Sequence, residues 1–446
     1  MNDTILALAT PPGTSALAVI RLSGPSCHQV WLKFLSKKEP QARMAKLLPF
    51  KSDGETLDQI LAIYFAAPSS FTGEDSIELF PHGNMLLIKK IINALILVNG
   101  VRMAEPGEFT RRAFEHGQID LIQAESIGML IHSRNEKALE NAQKLLKGEL
   151  SEQIKELVDQ VQYLSAKMEL EVDFAEEEAD AELDAWSLDI IKILELIDGL
   201  KEGHIKGRKK SEVPMVVLYG KPNAGKSSLI NALLKEDRLL VSTQAGTTRD
   251  YIETTLYLDG GEIKLVDTAG LGEAVDHLDE LSQEKTQQIV KKAHLRLHLI
   301  DGAVELNKNQ LRSYNQSDVA VLTKLDKVDE STILINQIAG HQTTLGVSSQ
   351  SGVGLSELKE FLNKEIFEED ETKEEVWMAS ERQFQCLVKS EAVLRASLDF
   401  LALGHASPEI LAFELREARL ALEEITGEIS VDSILGRIFE GFCIGK

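Results

Sequence analysis

One eight-residue stretch constrains the fold of this chain more than any other. Residues 220–227 read GKPNAGKS, the GxxxxGKS pattern of a phosphate-binding loop. The glycines permit a turn that points successive N–H groups at a phosphate, the lysine reaches the β- and γ-phosphates, and the serine hydroxyl is placed for Mg²⁺. Apolar residues 216–219 predict a strand before the loop, and residues 228–234 predict an amphipathic helix after it. This context predicts a P-loop nucleotide domain rather than an ordinary glycine-rich turn.

Four later segments occur in the order of a guanine-nucleotide domain. GTTRD at 246–250 offers a threonine that can close over the γ-phosphate. LVDTAG at 265–270 offers an aspartate for the water shell of the metal and a glycine N–H for the γ-phosphate. VLTKLD at 321–326 ends in Asp326, whose carboxylate can accept hydrogen bonds from guanine N1 and N2, a donor pair that adenine lacks. VSSQ at 347–350 would bring a backbone N–H to guanine O6, so the set predicts a GTPase domain.

The predicted nucleotide contacts lie along these segments. They are Asn223, Ala224, Gly225, Lys226, Ser227, Ser228, Ser242, Thr243, Gln244, Ala245, Gly246, Thr247, Thr248, Asp267, Thr268, Ala269, Gly270, Thr323, Lys324, Asp326, Ser348, Ser349 and Gln350. Within this set, Ser227 and Thr248 are predicted to hold Mg²⁺, and Lys226 and Thr248 to act in GTP hydrolysis.

Two residues depart from the commonest GTPase pattern. Thr323 stands where an asparagine usually begins the base-reading motif, which predicts modestly altered nucleotide affinity without loss of guanine specificity. Leu271 follows DTAG, where Ras-type enzymes carry a glutamine that orients the attacking water. Another group must therefore position water and offset charge in the transition state, since an arginine finger alone is worth about 10³–10⁵ in rate.

Composition limits what surrounds this domain. A chain of 446 residues suggests about two to four domains, and 43% hydrophobic residues suffice for real cores. The three cysteines have neither paired nor metal-ligand spacing, which argues against disulfides and zinc and favours a reducing cytoplasm. We expect neither a signal peptide nor a membrane span, because the longest apolar run, 91–98, is too short. The net charge of −23 argues against a broad grip on nucleic acid, so any RNA contact must be local or carried by a partner.

Residues 1–117 have the pattern of a small α+β module. Apolar and alternating runs predict strands at 16–22, 60–65 and 76–80, and the period of residues 85–98 predicts a helix. The expected architecture is therefore an α+β N-terminal domain, an α-helical central domain and an inserted α/β Ras-like P-loop GTPase domain.

Helical periodicity flanks the GTPase domain on both sides. Residues 118–211 and 369–446 carry apolar stripes that neither part can bury alone, so we expect them to pack together, with the GTPase domain at 212–368 inserted. The acidic run 171–184 is interpreted as a solvated helix end or loop, and the basic residues 208–210 as a linker at a domain boundary, with RNA contact as the lesser alternative. The stripes are Ile154, Leu157, Val158, Val161, Leu164 and Met168, then Phe384, Leu387, Val388, Glu391, Leu394, Leu398 and Leu401, and finally Leu411, Leu415, Ala418, Leu422 and Ile425.

Several stretches carry a resemblance to a known family. They are DTILALATPPG near the start, SFTGED at 70–75, PGEFTRRAF at 106–114, DFAEEE at 173–178, GKPNAGKSSLIN at 220–231, AGTTRD at 245–250 and FCIGK at 442–446. On these stretches the whole chain resembles the MnmE (TrmE) family of bacterial-type tRNA-modifying GTPases. The terminal stretch combined with those of the first domain is specific, because other GTPases with leucine after DTAG lack both.

The resemblance implies a function, cofactors and partners. It implies an N-terminal folate-binding domain that forms a constitutive homodimer, and a heterotetramer with the FAD flavoprotein MnmG. Together these proteins install an aminomethyl or carboxymethylaminomethyl group at C5 of the wobble uridine of certain tRNAs. A tetrahydrofolate derivative, in the 5-formyl or 5,10-methylene form, supplies the one-carbon unit. By position, Arg21, Glu78 and Lys446 match folate contacts of the family, whereas Gln118 stands where the family has a lysine.

The resemblance also implies how the gap at Leu271 is filled. In the family, GTPase domains dimerise on GTP and hold K⁺ where an arginine finger would act, and a fixed cation there offsets developing charge. The matching positions are Asn223, with Ser242, Gln244 and Thr247 as further K⁺ ligands, and Asp279 or Glu280 for the water-positioning glutamate. Cys443 matches the terminal cysteine of the family, and its own context allows either a packed thiol or a reactive thiol on a mobile tail.

Two further functions are compatible with parts of this pattern. A regulatory switch would bind ribosomes or a stress-response partner without RNA chemistry, but a ribosome-assembly GTPase is expected to carry a basic domain that this acidic chain lacks. A folate enzyme that uses the GTPase only as a sensor would transfer one-carbon units without hydrolysis.

Overall fold

The computed structural model describes residues 3–174, 179–236, 252–267, 293–303, 319–327, 344–368, 380–402, 408–429, 432–442 and 445. The chain forms two compact units. The first unit comprises Met1–His132, Glu140–Lys206 and Val376–Lys446, and the second comprises Ser133–Leu139 and Gly207–Glu375. Within the described residues, no helix is long and apolar enough to cross a membrane.

The N-terminal part of the first unit is a six-stranded sheet covered by helices. Its strand order is β3-β4-β5-β2-β1-β6, and only the β1–β6 pair is parallel. Its elements are β1 (Thr4–Leu8), β2 (Ile20–Ser23), α1 (Cys27–Val30), a π-helical turn (Trp31–Leu35), β3 (Lys46–Ser52), β4 (Glu55–Phe65), β5 (Ser76–Phe80), α2 (Met85–Ile96), β6 (Val101–Met103) and α3 (Glu108–Glu115).

The strand predictions for this sheet differ in accuracy. The predicted strand at 76–80 is β5, and the predicted strand at 60–65 is the second half of β4. The prediction of a strand over 16–22 is wrong at its start, because β2 begins at Ile20 and Leu17 is exposed. Just before Ile20 the backbone keeps only single hydrogen bonds, from Ala18 to the carbonyl of Pro81 and from Ala9 to the carbonyl of Val19, outside the regular ladder.

A buried ion cluster links the start of the chain to α3. The side chain of Arg112 is fully buried, and its guanidinium donates hydrogen bonds to Asp3 (2.9 Å), Glu74 (3.1 Å) and Glu108 (3.0 Å). Burial raises the pKa of Glu108, but the bonds from Arg102 and Arg112 lower it below the usual value overall. A buried charge is stable only when it is paired in this way. The SFTGED and PGEFTRRAF stretches therefore meet at one structural cluster.

The helical part of the first unit is built around one main core. Its helices are α4 (Leu121–His132), α5 (Glu136–Leu146), α6 (Glu149–Phe174), α7 (Ala179–Ser211), α10 (Glu381–Ala402), α11 (Pro408–Thr426) and α12 (Asp432–Glu440). Every one of these helices except α12 contributes to the main core, and α12 packs in a smaller cluster with α4. Every predicted stripe residue of α6 and α11 is buried, and both helices contribute to the same core. The prediction that the two helical parts pack together is therefore confirmed.

The basic residues 208–210 do not form a linker. They lie in the last turn of α7, so the prediction of a linker there is wrong. Cationic residues are favourable at this position because the carboxyl end of a helix carries partial negative charge.

Two polar contacts hold the helical core in register. Glu391, the one polar member of the α10 stripe, accepts hydrogen bonds from Lys201 of α7 and from Arg395 (2.8 Å). Glu125 of α4 accepts from Arg382 (2.9 Å), which also donates to the carbonyl of Ile425 at the end of α11 (3.0 Å). Arg382 therefore ties three helices together just after the chain returns from the second unit.

The second unit is a six-stranded sheet with strand order β12-β11-β10-β7-β9-β8, in which only the β8–β9 pair is antiparallel. Its elements are β7 (Met215–Gly220), α8 (Lys226–Glu236), β8 (Ile252–Leu258), β9 (Gly261–Asp267), β10 (Leu295–Asp301), β11 (Val319–Thr323), β12 (Thr344–Gly346) and α9 (Leu355–Phe367). In such a sheet the carboxyl ends of parallel strands form one binding edge, and β7, β9, β10 and β11 end there.

Glu391→Gln tests the charged contact in the helical core. We expect a loss of about 1–2 kcal/mol in the free energy of unfolding near pH 7, because a charge-assisted hydrogen bond is replaced by a neutral one. The hydrogen bond from Lys201 lowers the pKa of Glu391 in the folded chain. The stabilisation that the ionised Glu391 contributes is therefore fully present above about pH 4.3, the pKa of a glutamate in the unfolded chain. It is lost as the pH falls through the lower pKa that Glu391 has in the folded chain.

Urea unfolding at about pH 7 and about pH 4 measures this effect, which should shrink at the lower pH. The matched control is Glu156→Gln, because Glu156 is exposed on α6 and has no ion pair within the described residues. Equal losses in both variants, or a loss that does not depend on pH, would contradict the assignment.

Candidate active sites

The phosphate-binding loop joins the end of β7 to the start of α8. Gly220 and Gly225 have φ values of 151° and 93°, a region that favours glycine. A Cβ atom on Gly220 would lie 2.4 Å from the carbonyl oxygen of Leu299, so this position accepts no side chain. Asn223 has a left-handed φ of 64°, which asparagine tolerates better than most residues. The predicted strand–loop–helix arrangement is confirmed.

Lys226 and Ser227 begin α8 at the edge of the loop. The Lys226 side chain is buried, and its ammonium donates to the carbonyls of Gly220 (3.1 Å) and Lys221 (3.2 Å). The Ser227 hydroxyl donates to Asp267 at the end of β9 (2.8 Å). The structure thus brings Ser227, predicted to hold Mg²⁺, into contact with Asp267, predicted for the water shell of the metal.

Thr323 connects the base-reading motif to the phosphate-binding loop. It ends β11 and is buried, and its hydroxyl lies 2.7 Å from the carbonyl oxygen of Ala224 and 3.2 Å from that of Ile300. One hydroxyl proton is shared between these two acceptors. A threonine at this position therefore keeps a tie to the phosphate-binding loop, although it lacks the amide of the more common asparagine.

Lys324 makes a second connection between the same two loops. Its ammonium donates to the carbonyl of Asn223 (2.9 Å) and pairs with Asp301 (2.5 Å). Asp301 was not among the predicted site residues. The available signal was its position, since it directly follows the alternating run of β10 and β10 ends at the binding edge.

Asp326 and the VSSQ segment lie together as predicted. One carboxylate oxygen of Asp326 accepts a hydrogen bond from the Ser348 hydroxyl (2.5 Å), and the backbone of Leu325 donates to the carbonyl of Val347 (3.2 Å). These bonds hold the carboxylate beside the segment expected to read guanine O6. Ser349 and Gln350 follow closer to the surface.

Many predicted site residues lie outside the described part of the chain. These are Ser242, Thr243, Gln244, Ala245, Gly246, Thr247, Thr248, Thr268, Ala269, Gly270, Leu271, Asp279, Glu280, Cys443 and Lys446. Their predicted roles therefore stay predictions.

A second candidate site lies on the N-terminal sheet. Arg21 and Glu78 are direct cross-strand partners on β2 and β5, and the guanidinium donates to the carboxylate from two nitrogens (3.0 and 2.8 Å). Both side chains are partly exposed, so the pair is accessible to a ligand. Arg21 also lies over the ring of Phe109, 5.9 Å from its centroid.

The carboxyl-terminal tail reaches this pair. Gly445 is buried, and its carbonyl lies 3.5 Å from a terminal nitrogen of Arg21. A Cβ atom on Gly445 would lie 2.9 Å from the carbonyl of Leu8, and its φ of 99° also favours glycine. The helix before the tail is anchored in a similar way, since a Cβ on Gly107 would lie 2.6 Å from the carbonyl of Phe439. Gly445 of the FCIGK stretch therefore lies beside β1 and β2.

Gln118 occupies a different neighbourhood. It is exposed, and a Cβ on Gly73 would lie 3.2 Å from its amide nitrogen. Within the described residues, no hydrogen bond joins Gln118 to Arg21 or Glu78. The structure therefore brings two of the four predicted folate residues into direct contact.

The two described cysteines are not candidates for a reactive thiol. Cys27 and Cys386 are buried and unpaired. Burial raises the pKa of the Cys386 thiol to about 11 and that of Cys27 further still. The thiolate is the reactive form, so neither side chain is nucleophilic near neutral pH.

Comparison with known proteins covers the whole chain. Residues 4–118 match the family described as "GTP-binding protein TrmE N-terminus", and residues 121–443 match the "MnmE helical domain". The chain is 38% identical to the tRNA modification GTPase MnmE of Aquifex aeolicus over all of both proteins. It is also 38% identical to that of Vibrio vulnificus over all of both proteins, and 37% identical to that of Chlorobium chlorochromatii over all of this chain and 98% of that protein.

Asp326→Asn tests the base-reading carboxylate. We expect GTP affinity to fall about 100-fold or more, because two charge-assisted bonds to guanine are lost. Xanthosine triphosphate should bind better to the variant, since an amide can donate to the xanthine carbonyl. Titration with fluorescent nucleotides measures both affinities. The matched control is Ser351→Ala in the adjacent loop, which should bind GTP normally. Unchanged GTP affinity in Asp326→Asn would show that the Asp326 carboxylate does not recognise the guanine base.

Proposed function

The chain belongs to the MnmE family of tRNA modification GTPases, and on this premise we propose that it modifies C5 of the wobble uridine of certain tRNAs. It hydrolyses GTP, works with the flavoprotein MnmG, and installs an aminomethyl or carboxymethylaminomethyl group whose carbon comes from a tetrahydrofolate derivative, in the 5-formyl or 5,10-methylene form. The observation that carries this proposal is the contact of the carboxyl-terminal tail with the Arg21–Glu78 pair. It joins the candidate folate site and the FCIGK stretch in one place.

The chemistry of this pair fits a reduced folate. The pterin ring presents an amino group and a ring N–H on one edge, and a carboxylate such as that of Glu78 accepts two hydrogen bonds from such an edge. The guanidinium of Arg21, bonded to the same carboxylate, would lie at the pterin end of the ligand and orient Glu78. When bound, the folate supplies the one-carbon unit. Lys446 would add a further cation, Gln118 would contribute an uncharged contact, and Cys443 would offer a thiol.

The described contacts support a nucleotide mechanism for the second unit. Lys226 satisfies loop carbonyls, and the same ammonium can bond to β- and γ-phosphate oxygens when GTP is bound. Ser227 and Thr248 would hold Mg²⁺, with Asp267 bonded to the water shell. Asp279 or Glu280 would position the attacking water, which Leu271 cannot do.

A potassium ion would supply the positive charge that an arginine finger brings to the γ-phosphate in related enzymes. Asn223 would hold it by its side-chain oxygen, and Ser242, Gln244 and Thr247 would complete the site. The backbone of Asn223 is held on its carbonyl side by Lys324, which limits the directions open to its side chain. Closure of two GTPase domains around GTP would exclude water from this cation and strengthen its effect.

The partners follow from the same proposal. The chain would act as a homodimer in a heterotetramer with MnmG, which carries FAD, and would take tRNA as its substrate. A cytoplasmic location fits this substrate and the two unpaired buried cysteines.

Asn223→Ala tests the potassium site. The unaltered chain should hydrolyse GTP faster in K⁺ than in Na⁺ at equal ionic strength, and the variant should lose that difference, because the ligand oxygen is removed. Phosphate release measured in both salts gives the ratio. Asn231→Ala, an exposed asparagine on α8, is the matched control and should keep the preference. Equal rates in both salts for the unaltered chain would exclude the potassium site.

Nucleoside mass spectrometry of total tRNA tests the modification. Cells that lack the chain should lose the 5-substituted wobble uridine, and the intact chain should restore it. Cys443→Ser should fail to restore it if the thiol takes part in the chemistry, whereas Cys386→Ala should restore it. Rescue by Cys443→Ser would reduce Cys443 to a packing role. No change on deletion, in a genome without a second copy, would favour a regulatory switch instead.

A further inference from the structure

One N-terminal segment of this acidic chain carries a local excess of positive charge. Residues 28–51 contain six lysines and arginines and one acidic residue, Glu39, which gives a net charge of +5. Since the whole chain carries −23, the remainder carries −28. We call the six cations the basic rim: Lys33, Lys37, Lys38, Arg43, Lys46 and Lys51.

The fold holds the basic rim around the edge strand β3. Phe34 of the π-helical turn stacks on Phe50 of β3 with ring centroids 5.2 Å apart. The indole of Trp31 donates to the carbonyl of Lys38 (3.2 Å), which draws the following loop back onto the same turn. The rim is therefore carried by ordered backbone at one edge of the sheet.

Arg43 is fixed more firmly than the lysines. Its backbone N–H donates to the carbonyl of Tyr64 (2.7 Å), and its guanidinium donates to the carbonyl of Ser69 (2.9 Å). A carbonyl orients the guanidinium without neutralising it. The charge of Arg43 is thus placed beside the 70–75 loop, whose Phe71 is partly exposed.

The lysines of the basic rim are not neutralised by ion pairs within the described residues. Lys33, Lys37, Lys38, Lys46 and Lys51 form no ion pair with any residue that the structure describes, and Lys46 is half-buried while the others are exposed. The one acidic residue of the segment, Glu39, already has a partner, because its carboxylate lies 2.5 Å from Nε2 of His28. Positive charge of this density is costly unless a polyanion or its counterions cover it.

We propose that the basic rim is the surface on which this chain holds the phosphate backbone of its tRNA substrate. The chain as a whole is acidic, so direct contact with RNA needs a local positive surface, and the basic rim offers more cations than the shorter basic run at 206–210. Exposed lysines around an ordered edge can displace counterions from successive phosphates, and Phe71 adds an aromatic face on which a base can stack. The inference rests on the tRNA modification activity of the family and is independent of the folate and potassium proposals.

Edge protection and self-association each account for only part of the basic rim. Lys46, Pro49 and Lys51 also protect an edge strand from pairing with another chain, but Lys37 and Lys38 lie outside β3 and are not needed for that. A second copy of the chain could cover the exposed cross-strand pair Leu47 and Leu61. Such a contact would use the face that carries Leu47, and because successive residues of a strand point to opposite faces, it would leave Lys46 uncovered.

The test compares two variants of the full chain that change the net charge equally. The rim variant replaces Lys37, Lys38, Lys46 and Lys51 with glutamine. The control variant makes the same replacement at Lys89, Lys90, Lys147 and Lys155, four exposed lysines of the same unit that have no ion pair among the described residues. Neither set includes a residue of the nucleotide site or the candidate folate site, so GTP hydrolysis should be unchanged in both, and an unchanged melting temperature verifies that the first unit stays folded.

Binding of a fluorescently labelled tRNA transcript is measured over a range of KCl concentrations. For the rim variant we expect affinity at about 0.1 M salt to fall at least tenfold. The slope of log affinity against log salt should fall by about 0.7–0.9 per lysine, or about 3 in total. The control variant should keep the slope of the unaltered chain.

Three results would overturn the proposal. They are an unchanged slope in the rim variant, an equal loss in both variants, and no salt-dependent tRNA binding by the unaltered chain. Sedimentation velocity on the same samples tests self-association, since a smaller particle for the rim variant with unchanged tRNA affinity would assign this edge to a second copy of the chain. Failure of the folate or potassium experiments leaves these outcomes unaffected.

Discussion

The mutual burial of the helical stripes is the constraint on which the rest of this structure depends. The apolar faces of α6 and α11 are each too large to leave in water, and they lie about 250 residues apart in sequence, yet they form a single core. The chain can therefore leave the helical domain, form a complete GTPase unit and return to the same core. Arg382 fixes the point of return, because it bonds α4 through Glu125 and the end of α11 through Ile425.

A second long-range contact then places the carboxyl terminus. Arg112 is buried and must be paired, so Asp3, Glu74 and Glu108 converge on it and hold α3 against the start of β1. The turn into α3 at Gly107 is where Phe439 of α12 packs. Because α12 is fixed there, the tail beyond it reaches β1 and the Arg21–Glu78 pair. The cluster thus helps to place the tail beside the Arg21–Glu78 pair.

In the second unit, the phosphate-binding and base-reading loops form one hydrogen-bonded assembly. The hydroxyl of Thr323 and the ammonium of Lys324 both bond to carbonyls of the phosphate-binding loop, at Ala224 and Asn223. Recognition of the base and geometry around the phosphates are therefore mechanically linked. This linkage explains how threonine can replace asparagine in the motif, since a hydroxyl reaches the same backbone and only the amide is lost.

The sequence by itself determined the local features of this protein. Phosphate binding uses the backbone of consecutive residues, so the loop at 220–227 could be recognised from spacing, and the stripes of α6 and α11 followed from the helical period. Other features depend on residues that are distant in sequence, and only the tertiary structure decided them. It showed that β2 starts at Ile20, that Asp301 pairs with Lys324, and that Gly445 lies beside Arg21. Strand pairing, ion pairing and tail docking each require a partner that local periodicity does not identify, because their energies arise only when the folded chain brings the two groups together.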